Sequence, residues 1–314
     1  MSRDPILLLS LMPRCGSNFL EALLGLHPHC RKSRVPEDFF LANGATLLRF
    51  CRTLTESWEQ LIGGEGELAA CLGEALLRFA EPAEAAAEGP CRLLLRSPTS
   101  EGLDAAAALF SRARIVLLVR DGPATVESGR RSFGWWYEEA MLTWRDSARR
   151  ALAFLGNGAG RCLLVRFEDL AAAPVCEMAK ILGFLALDEA LYPFDRVADV
   201  PVLGSSSFGR DAGQPVHWDP VPKGPGFDPL RRAVAWPRRR LKRFSWLAGP
   251  ELRRFGYGTT ALGGFDKAAN VALDLWHLGR RIVVRLAVLR HARPAVFGDR
   301  QRRYLSWRHI RIVT

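Results

Sequence analysis

The chain has 314 residues, 48% of them apolar and 25% charged, a composition that excludes disordered and fibrous classes and fits a folded globular protein. Its formal charge of +11 calls for an anionic partner: a nucleotide, a nucleic acid, an acidic polysaccharide or a membrane surface. Residues 260–314 hold eleven Lys/Arg against three Asp, which is +8 of that total, so the excess sits mainly in the tail.

The first predicted strand is the apolar run Ile6–Ser10. It is far too short to span a membrane and lacks the longer apolar stretch and cleavage site of a secretory leader. It runs into Met12-Pro13-Arg14-Cys15-Gly16-Ser17-Asn18, after which a helix is predicted through Leu26. His27-Pro28-His29-Cys30 reads as a helix-ending segment, because a zinc site needs three or four ligands and no second group is evident. Glu37 and Asp38 follow Pro36, where the local pattern reads as a solvated acidic pair at a helix start. Residues 45–88 are helical in pattern.

A second strand is predicted over 91–95, followed by Arg96-Ser97-Pro98. A third covers 115–119 and ends in Arg120-Asp121-Gly122-Pro123, and the next helix carries Ser128 eight residues after Arg120. Trp135, Trp136 and Tyr137 then either shape a cleft or join the core. Cys162–Arg166 is the fourth strand. Residues 200–228 are crowded with Gly, Pro and Ser, a long irregular segment of the kind that forms lids and binding loops.

Residues 266–291 place Val271, Leu275, Leu278, Ile282, Leu286 and Leu289 on one stripe and Asp274, His277, Arg281 and Arg285 on another. This is a basic amphipathic helix, either an accessory helix packed on the domain or one that docks to an anionic membrane. The expected organisation is one domain over 1–262 and a tail over 263–314.

Alternating strands and helices imply βαβ units, hence an α/β domain with a parallel sheet and its ligand site at the carboxyl ends of the strands. Seven scattered cysteines with no Cys-x-x-Cys argue against a disulfide framework and for a reducing, cytoplasmic setting.

A glycine-containing turn between a strand and a helix aims backbone N–H groups at one point. With the positive end of the helix dipole they form an anion site, to which Arg14 adds charge and Ser17 and Asn18 add side-chain donors. The alternative is a purely structural turn. The Gly-x-x-x-x-Gly-Lys-[Ser/Thr] pattern of nucleotide triphosphatases is missing, which weakens a kinase reading. Arg120 at a strand end and Ser128 two helical turns on can converge on one phosphate. Each taken singly is more often a surface salt bridge or a helix-surface hydroxyl.

Together the two motifs resemble the sulfotransferases that use 3'-phosphoadenosine 5'-phosphosulfate (PAPS), whose P-[KR]-x-G-[ST] loop cradles the 5'-phosphosulfate and whose R-x7-S element holds the 3'-phosphate. The likeness continues through Leu164-Val165-Arg166-Phe167-Glu168-Asp169-Leu170, Pro174 and Leu182-Gly183-Phe184-Leu185. It covers roughly residues 5–260 and leaves out the tail.

The resemblance implies a P-loop-containing nucleotide-binding fold, PAPS as co-substrate, 3'-phosphoadenosine 5'-phosphate (PAP) as product, and no metal. It assigns Arg14, Cys15, Gly16, Ser17 and Asn18 to the 5' end and Arg120 and Ser128 to the 3'-phosphate. Arg14 and Arg96 become the cations that stabilise the departing phosphate. The alternative for Arg96 is simple pairing with a carboxylate such as Glu101.

Glu37 matches the catalytic glutamate of the similar bacterial carbohydrate and tyrosylprotein sulfotransferases, with Asp38 as its rival. Lys223 falls where relatives cover the nucleotide with a basic loop, although the spacing departs from theirs. The expected acceptor is a carbohydrate or glycolipid hydroxyl, with no nucleic-acid partner and with peripheral membrane contact through the tail. The rival functions are a nucleotide-dependent kinase and a non-enzymatic module for anionic glycans or membranes.

Overall fold

The computed structural model describes residues 4–35, 41–62, 64–82, 91–157, 160–203 and 236–291. Five parallel strands form one sheet in the order β2-β3-β1-β4-β5. They are β1 (Ile6–Ser10), β2 (Cys30–Lys32), β3 (Arg92–Ser97), β4 (Arg114–Val119) and β5 (Cys162–Arg166).

Central strands of a parallel sheet are covered on both faces, so they read as continuous apolar runs. β1 accordingly buries all five of its residues, as β4 does from Ile115 onward. β1 pairs with β3 on one side and with β4 on the other, Leu9 lying opposite both Ser97 and Leu117. The carboxyl ends of the three neighbours therefore finish close together.

Each crossover contains helix: α1 (Ser17–Leu24) leads from β1 to β2, and α2 (Gly44–Ile62) and α3 (Glu65–Ala80) precede β3. α4 (Leu103–Leu109) joins β3 to β4, while α5 (Gly122–Phe133) and α6 (Tyr137–Asn157) lead from β4 to β5. α7 (Phe167–Ala172), α8 (Pro174–Leu185), α9 (Arg238–Arg254) and α10 (Gly264–His291) follow.

Several expected boundaries shift. The predicted strand 91–95 runs over Arg92–Ser97, so Arg96 lies within β3 and not after it. The first helix stops at Leu24, with Gly25 as its C-cap, and does not reach Leu26. The three-residue strand β2 at the sheet edge was not expected.

His27 is buried between α1 and β2 with both ring nitrogens engaged. Nε2 lies 3.0 Å from the Asp188 carbonyl, and Nδ1 accepts from the His29 amide at 3.1 Å. All seven cysteines are free thiols.

Trp144, fully buried on α6, ties the sheet to the later helices. Its ring packs edge-on against Phe244 of α9, with centroids 5.4 Å apart, and against Phe255, and its indole N–H donates to the Arg120 carbonyl at 3.2 Å. The backbone that leaves β4 is thus held by a side chain whose burial contributes several kcal/mol, about 3–5 on removal of such an aromatic. Trp135, also buried, joins this core, whereas Trp136 is exposed.

Candidate active site

The loop between β1 and α1 places Arg14 (φ 78°) and Gly16 (φ 102°) in the left-handed region. An arginine there costs of order 1–3 kcal/mol, so the surrounding structure must hold it. Arg120 does so: its Nη1 donates to the Arg14 carbonyl at 3.0 Å, and its guanidinium stacks over the Phe167 ring 4.4 Å from the centroid. Gly16 is required twice over, since a Cβ at this position would also lie 2.3 Å from Cδ2 of Phe167.

Gly16 caps α1 without a side-chain hydrogen bond, and the helix dipole makes this end of α1 positive. Around this point three cations gather from three adjacent strand ends. Arg14 turns towards α5, where its Nε donates to Ser128 Oγ at 3.2 Å, and its guanidinium lies 5.4 Å from the Phe133 ring centroid. Arg96, from β3, has Nε 3.1 Å from Glu21 Oε2 and Nη1 3.5 Å from Ser17 Oγ. The expected alternative of pairing with a carboxylate is thus seen with Glu21, one helical turn beyond Ser17.

Arg120 is 5% exposed. Burial pulls its pKa down, opposed by the nearby Cys15, Glu168 and Asp121. Cys15 is buried with its Sγ 4.0 Å from Thr125 Oγ1, and burial pushes the thiol up, so it behaves as an apolar wedge under the loop.

Outside this ring a set of part-buried hydrogen bonds holds the backbone next to Arg120. The Asp121 carboxylate caps α5 by accepting from the Ala124 amide at 3.0 Å, while the Asp121 amide donates to Glu168 Oε1 at 2.9 Å. Glu168 Oε2 in turn accepts from the Tyr257 hydroxyl at 2.7 Å. Burial raises the Asp121 carboxyl to about 6 and drives the Tyr257 hydroxyl well above its ordinary value.

On the other side of Ser128, Glu127 accepts from Arg131, Tyr137 and Trp236 at 2.8, 2.9 and 2.8 Å. Burial alone would raise this carboxyl, but those three donors win and hold it below the usual range.

The structure therefore brings together Arg14, Cys15, Gly16, Ser17, Arg96, Arg120 and Ser128, and Asn18 occupies the first turn of α1. Glu37, Asp38 and Lys223 lie outside the described residues. Sequence reasoning missed Glu21 and Tyr257. Glu21 was reachable, since Ser17 and Glu21 are four apart on one helix face. Nothing local announces Tyr257, which meets Glu168 across 89 residues.

A family model described as the sulfotransferase family matches residues 5–190. The chain belongs to the sulfotransferase family. It is thereby an enzyme of sulfuryl transfer, and the matched span holds every described residue of the cation ring. Protein-tyrosine sulfotransferase 1 of Danio rerio is 24% identical over 276 residues, 81% of this sulfotransferase and 72% of that relative.

Among solved structures, the sulfotransferase domain of the Synechococcus PCC 7002 olefin synthase is 27% identical, with a TM-score of 0.40, over 60% of this chain and 76% of that one. The sulfotransferase domain from the curacin biosynthetic pathway is 19% identical, with a TM-score of 0.49, over 82% of this chain and all (100%) of that domain.

Proposed function

We propose that this sulfotransferase transfers the sulfuryl group of PAPS to a hydroxyl of a carbohydrate or glycolipid, holding the nucleotide between the β1–α1 loop and the β4–α5 junction. The observation that supports this most is the contact between the two motifs. Arg14 Nε reaches Ser128 Oγ at 3.2 Å, and Arg120 Nη1 reaches the Arg14 carbonyl at 3.0 Å. One bisphosphorylated nucleotide has anionic groups for both motifs at once, and its binding would exchange the Arg14–Ser128 hydrogen bond for charge-assisted ones.

The donor set suits such a ligand: three guanidinium groups, the hydroxyls of Ser17 and Ser128, and the amides at the start of α1. PAPS, when bound, supplies the sulfuryl group and the leaving phosphate. Cys15, Gly16, Ser17 and Asn18 would surround its 5' end and Arg120 and Ser128 its 3'-phosphate, with Lys223 covering the nucleotide. Arg14 and Arg96 would stabilise charge on the leaving oxygen, in a site where fixed cations need no reorganisation as that charge develops. Glu37 would take the acceptor's proton, and no metal is needed in this scheme.

In the same reading residues 1–262 form the transferase unit in a cytoplasmic protein, and residues 263–314 form an accessory tail that makes peripheral membrane contact. Resemblance to bacterial carbohydrate and tyrosylprotein sulfotransferases supports a hydroxyl acceptor, taken in this reading as a carbohydrate or glycolipid; the Danio rerio relative's name, by contrast, points to tyrosine.

The test is calorimetric titration with PAP and with adenosine 5'-monophosphate. The proposal expects PAP to bind at least about tenfold more tightly, a difference of about 1.4 kcal/mol, and expects Arg120→Ala to erase that preference. Equal affinity of the wild type for both nucleotides would remove the 3'-phosphate role.

A further inference from the structure

α10 docks on the domain by the side that an amphipathic helix normally turns to water. Across the described part of the helix the residues turned inward are Asp266, Asn270, Asp274 and His277, one stripe at helical spacing. Lys242 Nζ holds Asp266 Oδ1 and Oδ2 at 2.7 and 2.6 Å. Arg243, buried on α9, donates to Asn270 Oδ1 at 3.1 Å and to Asp274 Oδ1 at 2.6 Å, and also pairs with Glu138 of α6. Trp246 Nε1 donates to Asp274 Oδ2 at 2.8 Å, and His277 Nε2 lies 3.7 Å from Glu138 Oε1. Among the described side chains this anchor is polar throughout.

The apolar side chains consequently face out. Phe265 is 87% exposed, Leu275 65%, Leu278 55% and Val271 47%, and Trp276 is exposed as well. Leu275 lies on the side of the helix opposite the polar stripe, since five residues from Asn270 and nine from Asp266 are each about half a turn out of phase at 100° per residue. An exposed apolar stripe of this kind marks an interaction surface. The sequence continues with Ile282, Leu286 and Leu289 at the same helical spacing, and from residue 280 to the end it carries ten arginines against one aspartate.

We infer that this outer face of α10 lies on an anionic lipid surface, its apolar stripe entering the headgroup boundary. Charge decides the occupant. Pairing the face with a second copy would bring two strongly cationic segments together, whereas an anionic bilayer complements them, each basic residue near such a surface contributing about 1 kcal/mol. Leu, Phe and Trp on one side with arginine nearby is the composition of an interfacial helix. No helix among the described residues is long and apolar enough to cross a membrane. The inference deepens the peripheral contact named above and is independent of the sulfuryl chemistry.

The test is co-sedimentation of the full chain, without nucleotide, with phosphatidylcholine vesicles containing or lacking about one third phosphatidylglycerol, at roughly 0.1 M and 1 M salt. Binding is expected to the anionic vesicles at low salt, with at least about a tenfold loss in the Leu275→Glu/Leu278→Glu variant. Both positions are exposed, so the variant should keep the wild-type melting temperature and PAP affinity, which verifies its folding. Three results would each overturn the inference: no binding to anionic vesicles, binding undiminished in the variant, or a wild-type dimer in light scattering that the variant dissolves. Vesicle binding without PAP binding would instead count against the nucleotide reading alone.

Discussion

Arg14 and Ser128, 114 residues apart in sequence, are joined by a 3.2 Å hydrogen bond from the guanidinium Nε to the hydroxyl. The loop after β1 and the helix after β4 are thereby joined, and in the proposed reading they serve one anionic ligand, so disturbing either side should be felt at the other. Arg14→Ala should lower kcat/KM for PAPS by at least about a hundredfold, as loss of a preorganised charge donor does. A double-mutant cycle with Ser128→Ala on PAP affinity should show coupling of about 0.5–3 kcal/mol. Strict additivity would mean that the two residues do not share a ligand.

Gly16 combines a left-handed φ of 102° with no room for a methyl group, since a Cβ would meet the Phe167 ring at 2.3 Å. Gly16→Ala should therefore cost about 1–3 kcal/mol in strain alone and abolish turnover. Denaturant titration reads the first effect and PAP release the second. A stable, fully active variant would show that the loop tolerates another backbone conformation.

The catalytic-base proposal has a simple signature. Glu37→Gln should lower kcat by about 10²–10⁴-fold while leaving PAP affinity unchanged, and Asp38→Asn should leave kcat nearly intact. The reverse ranking would move the role to Asp38.

Asp121 gives stability a pH dependence. Its carboxyl sits at about 6 against an ordinary 3.8, chiefly because it is buried, with Glu168 adding to the rise and the Ala124 amide and Arg120 opposing it. Since the folded value lies above the unfolded one, the folded state binds the extra proton between these values. The contribution is therefore complete below roughly pH 4 and is lost as pH rises through about 6, at most about 3 kcal/mol. Asp121→Asn keeps an acceptor for the Ala124 amide but cannot titrate. Urea unfolding at pH 4.5 and 7.5 should show a smaller fall in stability for the variant than for the wild type; equal falls would contradict the assignment.

The α/β class and the two anion motifs were legible because they rest on local signals. β1 and β4 are runs of buried apolar residues, β5 is an apolar run packed more loosely against the same core, and the glycine turn and the Arg120 to Ser128 spacing are short-range patterns. β2 was not legible, because three residues reading Cys-Arg-Lys at a sheet edge carry neither length nor periodicity. The end of β3 was misjudged because Arg96 looks like a strand terminator, yet it pairs with Glu21 and stays in register opposite Leu8. The amphipathic character of α10 was plain, but not its orientation. Which side faces the domain depends on Lys242, Arg243 and Trp246 of α9, and the pattern of a single helix contains no information about its neighbour. The bracing of Arg120 through Glu168 and Tyr257 was hidden for the same reason.

The most direct measurement is transfer of label from sulfur-labelled PAPS to carbohydrate, glycolipid and tyrosyl-peptide acceptors by the full chain, with PAP release followed in parallel. The account predicts a labelled hydroxyl product and matching PAP release without added metal, both lost in Arg14→Ala and in Arg120→Ala. Label transfer that persists in both variants, or a wild type that neither binds PAP nor releases it from PAPS, would contradict the site assignment at its centre.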